Sequence, residues 1–113
     1  MIKKTRKQFK VLADKLWSEI VRSVGLCEKC GKRINLQAAH IFSRRYSHIR
    51  HDRSNGICLC AGCHFWAHQN PIEFAKWVIE YLGDDLIDKL EKKKLSLEKV
   101  DYEKIYLNLR ESQ

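Results

Sequence analysis

The chain has 113 residues and a formal charge of +8, from 22 Lys and Arg against 14 Asp and Glu. That length fits one compact domain with one core, and the surplus of positive charge makes a polyanion the first partner to expect. With 44% hydrophobic residues, 32% charged residues and a single Pro, disorder and low-complexity sequence are excluded.

The charge is uneven. Residues 1–35 hold ten Lys/Arg and three Asp/Glu, residues 36–70 four and one, and residues 71–113 eight and ten. No apolar run approaches the roughly 20 residues that cross a bilayer. Asp14 and Lys15 interrupt what would have to be the apolar stretch of a signal sequence. A cytoplasmic protein with no membrane contact is expected.

In chain order, Phe9, Leu12, Ala13, Leu16, Ile20 and Val24 recur at helical spacing, predicting a basic amphipathic helix over 5–24 capped by Gly25. Its Lys3, Lys4, Arg6, Lys7 and Lys10 offer a surface that can track phosphates. Residues 26–62 lack that period and carry turn signals, so short strands and loops are expected. His64 to His68 can form one helical stretch stopped at Asn70-Pro71. Asn70, Pro71 and Glu73 then read as an N-cap, first-turn proline and capping-box acid. The helix they start carries Phe74, Trp77, Val78, Tyr81 and Leu82 on one face and closes at Gly83; another begins at Asp84 or Asp85. Ser96 is the expected cap of a last helix running through Leu109, with Tyr102, Ile105, Tyr106 and Leu109 as its stripe. The aromatics on these stripes, Trp17, Trp66 and Trp77 included, read as packing residues. The predicted organisation is a single domain over 1–113: the first helix, a metal-rich centre over 26–70 and a helical extension over 71–113.

All five Cys and all five His fall between Cys27 and His68. Cys27/Cys30 and Cys60/Cys63 are two CxxC turns. Each lets two sulfurs reach one ion, and two such turns close a tetrahedral four-sulfur site, which suits structural Zn²⁺. Cys58 is left over and reads as a small buried residue on a strand. His64 and His68, four apart on a helix, project from one face and can share a divalent cation. Between residues 43 and 53 lie Arg44, Arg45, Arg50 and Arg53, whose guanidinium groups match phosphate geometry.

Together, Cys27–Cys30, Ala39-His40-Ile41, Asn55, Cys60-Ala-Gly-Cys63-His64 and His68 resemble the HNH endonucleases, especially the small zinc-stapled forms of bacteriophages and their hosts. The likeness spans about residues 26–78, and the eight residues between Asn55 and His64 match that family's spacing. The resemblance implies an α+β fold, a ββα-metal core of two antiparallel strands and a helix, flanked by the N-terminal and C-terminal helices. It implies His40 as the general base, Asn55 as the asparagine that holds the loop and helps orient the base, and His64 with His68 as ligands of a catalytic Mg²⁺ or another divalent cation such as Mn²⁺. Many relatives place a His or Asp ligand directly before the base. Here that position is Ala39, so water, phosphate, Asp52, His48 or His51 is left to complete the shell.

The expected function is metal-dependent hydrolysis of DNA phosphodiester bonds, by a monomer that nicks or a homodimer that cuts both strands. The alternatives are a non-catalytic zinc-stapled DNA-binding module, for which Ala39 is the motive, and a metal-stapled protein-interaction domain.

Overall fold

Helix α1, Arg6–Arg22, starts where Thr5 Oγ1 accepts the Gln8 N–H (3.2 Å) and Gln8 Oε1 accepts the Thr5 N–H (2.8 Å), a reciprocal capping box. It ends at Ser23, short of the predicted residue 24. Val24 is consequently 48% exposed rather than part of the stripe, and Gly25, at φ +81°, reverses the chain beyond the cap. The computed structural model describes residues 2–112.

Two strands follow, β1 (Leu36–His40) and β2 (Gly56–Cys60), paired antiparallel with His40 opposite Gly56 and Leu36 opposite Cys60. Helices α2 (Ala61–Gln69), α3 (Pro71–Leu82), α4 (Asp84–Lys94) and α5 (Tyr102–Glu111) complete, among the described residues, an α+β arrangement of one two-stranded sheet and five α-helices. Among the described residues no helix is long and apolar enough to cross a membrane.

Two helix starts differ from expectation. Pro71 does open α3, but the Asn70 side chain makes no cap bond to it: its Nδ2 donates to the Trp66 carbonyl (3.0 Å), so Asn70 closes α2 instead and no box with Glu73 forms. Ser96 Oγ accepts the N–H of Glu98 in a local turn. The last helix waits for Asp101, whose carboxylate accepts the Lys104 N–H (3.1 Å).

The expected single core is divided by the hairpin. On one face Ala39, Ile57 and Leu59 pack with Ala67 of α2 and Val78 of α3. On the other, Cys58 packs with Ala13, Trp17, Ile20 and Val21 of α1 and Leu109 of α5. Because β2 is covered on both sides, Ile57 to Cys60 are all buried and read as an unbroken apolar run.

The approach of α1 to the hairpin depends on Gly56. A Cβ there would stand 2.4 Å from Val21 Cγ2 and 2.8 Å from Trp17 Cζ2, and both side chains are buried. Gly56→Ala is therefore expected to cost about 1–3 kcal/mol and to displace Trp17. Chemical denaturation measures the loss, and the quenching of Trp17 fluorescence reports the displacement.

Candidate functional site

The four-cysteine cluster joins three parts of the chain. Cys27 and Cys30 flank a turn closed by Gly31 N–H to the Cys27 carbonyl (2.8 Å), with Gly31 at φ +82°. Cys60 ends β2 and caps α2, its sulfur accepting the Cys63 N–H (3.4 Å), as Cys27 sulfur accepts the Cys30 N–H (3.5 Å). The Cys30 and Cys60 sulfurs are 3.7 Å apart, and all four lie within 4.8 Å of one another. A tetrahedron with Zn–S near 2.3 Å has sulfurs roughly 3.8 Å apart, so the cluster can hold a metal ion of that size. All four are free thiols.

Thiol electrostatics point the same way. Burial pushes Cys27 up, but backbone N–H groups of Cys60, Cys30 and Lys29 outweigh it and hold the thiol at about 6. The Cys63 N–H lowers Cys60. Cys63 is pushed up to about 12 by burial and by the other sulfurs. A first thiolate forms readily while the last proton is retained, and a cation is the charge that releases it.

Glu28 fastens this turn to the rest of the fold. Its N–H donates to the Cys58 carbonyl (2.8 Å), its Oε2 accepts the Cys58 N–H (2.7 Å) and its Oε1 accepts the Tyr81 hydroxyl (2.8 Å) from α3. Cys58 itself is fully buried on β2, as the sequence implied.

His64 and His68 come together on α2 with their Nε2 atoms 3.1 Å apart. Two nitrogens each about 2.1 Å from one ion, at 90–109°, are roughly 3.0–3.4 Å apart, so this pair has the spacing of a shared-ligand pair. Gln37 of β1 fixes the tautomer: its Oε1 can only accept, so His64 Nδ1–H donates to it (2.7 Å) and Nε2 keeps a lone pair. Burial and the neighbouring His68 hold His64 below its ordinary value. No third His, Cys, Asp or Glu completes a ligand set with them among the described residues. The three substitutes are engaged elsewhere: Asp52 with Lys93 Nζ (2.7 Å), His48 with the Glu98 carbonyl, and His51 with Asp14 (2.6 Å). Ala39 is buried against α2.

His40 ends β1 and is held on two sides. Its ring stacks on Trp17, with centroids 4.0 Å apart and planes 12° apart. Its Nε2 lies 3.0 Å from the Arg50 carbonyl, which can only accept, so Nε2 carries the proton and Nδ1 keeps its lone pair. Burial lowers its affinity for a second proton. Trp17 is itself fixed by Nε1–H to the Asp52 carbonyl (2.8 Å).

Asn55, fully buried, closes the long connection between the strands. Its Oδ1 accepts the Phe42 N–H (2.8 Å), and its Nδ2 donates to the carbonyls of Phe42 (3.0 Å) and Ile49 (3.1 Å). The Ile41 N–H donates to the Asn55 backbone carbonyl (2.9 Å).

His40, His64 and His68 line one cleft of about 740 Å³ together with Asp14, Ser18, Arg44 and Arg50. Arg44 is exposed at its edge. Arg50 is committed inward, forking onto both Asp14 oxygens at 2.8 Å. Arg45 lies over the Tyr46 ring, 5.1 Å from its centroid, and Arg53 sits exposed in the single 3₁₀ turn Arg53–Asn55; neither lines the cleft. Asp14, Gln37 and Glu28 are the residues the sequence reading missed. Period-two alternation would have found Gln37, because it shares with Ala39 the strand face turned to α2.

Comparison of the chain with protein-family models, curated proteins and solved structures gives no match.

Proposed function

We propose that the chain is a metal-dependent endonuclease of the HNH kind that hydrolyses DNA phosphodiester bonds. In this reading β1, β2 and α2 are its ββα-metal core, and Cys27, Cys30, Cys60 and Cys63 hold a structural Zn²⁺. The observation that carries the reading is one cleft holding both an imidazole with an available Nδ1 lone pair, His40, and the paired nitrogens of His64 and His68. The free positive charge of the lining is at Arg44, because Arg50 and the one lining carboxylate, Asp14, neutralise each other.

His40 takes a proton from the water that attacks phosphorus; it is neutral near pH 7, as a general base must be. A divalent cation such as Mg²⁺ or Mn²⁺, when bound, would supply charge neutralisation at the scissile phosphate and at the departing 3′ oxygen, which takes its proton from solvent. His64 and His68 would hold that cation, with Gln37 keeping His64 in the ligating tautomer. Arg44 binds a phosphate at the cleft edge, and Arg45 and Arg53 extend the contact along the DNA backbone. Asn55 keeps the loop that carries the Arg50 carbonyl in register with His40.

A short end-labelled duplex incubated with zinc-loaded protein and Mg²⁺ or Mn²⁺ should yield products with 5′-phosphate and 3′-hydroxyl ends, and chelation should stop their formation. Ala39 favours a second reading, a DNA-binding module without catalysis, because among the described residues no third ligand side chain stands by His64 and His68. Duplex that is bound but uncut with either metal supports that reading instead.

Gln37→Ala is expected to weaken Mn²⁺ binding at His64 and His68 about 10–100-fold. Calorimetric titration of zinc-loaded protein reads this directly, and an affinity equal to the parent's refutes the role given to Gln37.

A further inference from the structure

We infer that Asp14, on the first helix and outside the hairpin and α2, is a positioning residue for His40, acting through the peptide bond between Arg50 and His51. The inference rests on the reading of His40 as the base. Its own evidence is the geometry of one carboxylate.

Asp14 takes hold of two consecutive residues. Arg50 Nε donates to Oδ1 and Arg50 Nη2 to Oδ2, each at 2.8 Å, a two-point fork. The next residue, His51, donates from Nε2 to the same Oδ1 at 2.6 Å. Its side chain is only 2% exposed and that of Arg50 17%, so both are held in place by packing as well as charge. The carbonyl between the two anchored residues is that of Arg50, and it is the one that accepts the His40 Nε2–H (3.0 Å). Anchoring the side chains on both sides of a peptide plane restricts the φ and ψ that turn it and so narrows the direction of its carbonyl.

The same helix holds the other side of the ring. Trp17 lies three residues after Asp14, hence on the same helical face, and stacks on His40. Asp14 sets the rotation of the imidazole through its hydrogen bond, and Trp17 sets its plane. The single N–H···O bond decides the tautomer: with the Arg50 carbonyl in place the proton stays on Nε2, and without it Nδ1 can take the proton and lose the lone pair that the base needs. Asp14 also explains why Arg50, unlike Arg44, faces inward: its charge is spent on the carboxylate rather than on a phosphate.

Long-range ¹H–¹⁵N spectra of zinc-loaded protein read the His40 tautomer without any requirement for activity. The parent is expected to show one form, protonated at Nε2, and Asp14→Asn a mixture. Asp52→Asn, which breaks the Lys93 ion pair on the same loop, is the control and should keep the parent's single form. In cleavage, Asp14→Asn should lose about 10–100-fold in kcat, as expected of a misplaced catalytic group, with KM for DNA within about twofold of the parent. A folded Asp14→Asn protein with the parent's His40 tautomer overturns the inference. Should Asp14→Asn lack a cooperative melt, Arg50→Gln removes the fork from the other end, and the same two spectral outcomes decide. If the parent cuts no DNA, the nuclease reading fails while the spectra still decide whether Asp14 orients His40.

Discussion

Replacing His40 with alanine is expected to lower DNA cleavage about 10²–10⁴-fold, the range of a lost general base, while leaving DNA binding unchanged. The arginines proposed to contact phosphate, Arg44, Arg45 and Arg53, make no hydrogen bond to His40, so affinity should be preserved. Losing the stack on Trp17 and the hydrogen bond to the Arg50 carbonyl costs about 1–3 kcal/mol, and a thermal melt checks that the variant stays folded. The same residue sets the pH dependence. Burial holds His40 below its ordinary value of 6.5, so its lone pair is available at pH 7. Rate should fall on acidification as protonation removes the base, with a midpoint displaced below 6.5. Parallel electrophoretic binding and single-turnover cleavage test both statements. A His40→Ala protein that cleaves like the parent would mean that another group accepts the proton.

Replacing Cys60 with serine should abolish cooperative folding. Serine can still cap α2 in the way that Cys60 sulfur accepts the Cys63 N–H, so the helix cap is not what is lost. The loss is one of the four sulfurs proposed to hold zinc, at the junction of β2, α2 and the Cys27–Cys30 turn. Structural zinc supplies about 10–16 kcal/mol of apparent binding free energy that is also folding free energy. A chain whose apolar residues are divided between two small clusters on opposite faces of one hairpin has no comparable reserve. Cys58→Ser is the matched control. It is equally buried but not a ligand, so it should keep one zinc per chain and lose about 1–3 kcal/mol for an unpaired hydroxyl. Metal analysis with thermal melts separates the two, and a cooperative melt in Cys60→Ser with one bound zinc would refute the four-sulfur site.

The parts of the fold legible in the sequence are those specified locally. Helical spacing marked α1 and α3, and Pro71 marked the break between α2 and α3. The doubled CxxC marked a four-cysteine cluster able to hold a metal ion, because sulfur positions in such turns follow from short-range geometry. The start of α5 was misread because Ser96 and Asp101 are both good caps and only packing chooses between them; Tyr102, at the first turn, is buried against the rest of the fold while Leu97 is fully exposed. In the cleft, the contacts that orient the imidazoles join residues far apart in sequence: Trp17 to His40, Asp14 to Arg50 and His51, and Gln37 to His64. No spacing rule encodes those pairs. The first two arise when α1 packs on the hairpin at Gly56 and the third when α2 packs on β1, and Asp14 showed in the sequence only as a charge interrupting an apolar stretch.

The most direct test uses supercoiled plasmid, zinc-loaded protein and Mn²⁺ or Mg²⁺, with bound and cut DNA followed on the same samples. The expected result is nicked circles that accumulate with the parent, vanish with chelator and are absent with His40→Ala, although both proteins shift the plasmid equally. Plasmid that is bound by the parent yet stays supercoiled with either metal would contradict the proposed chemistry and leave DNA binding as the function of the fold.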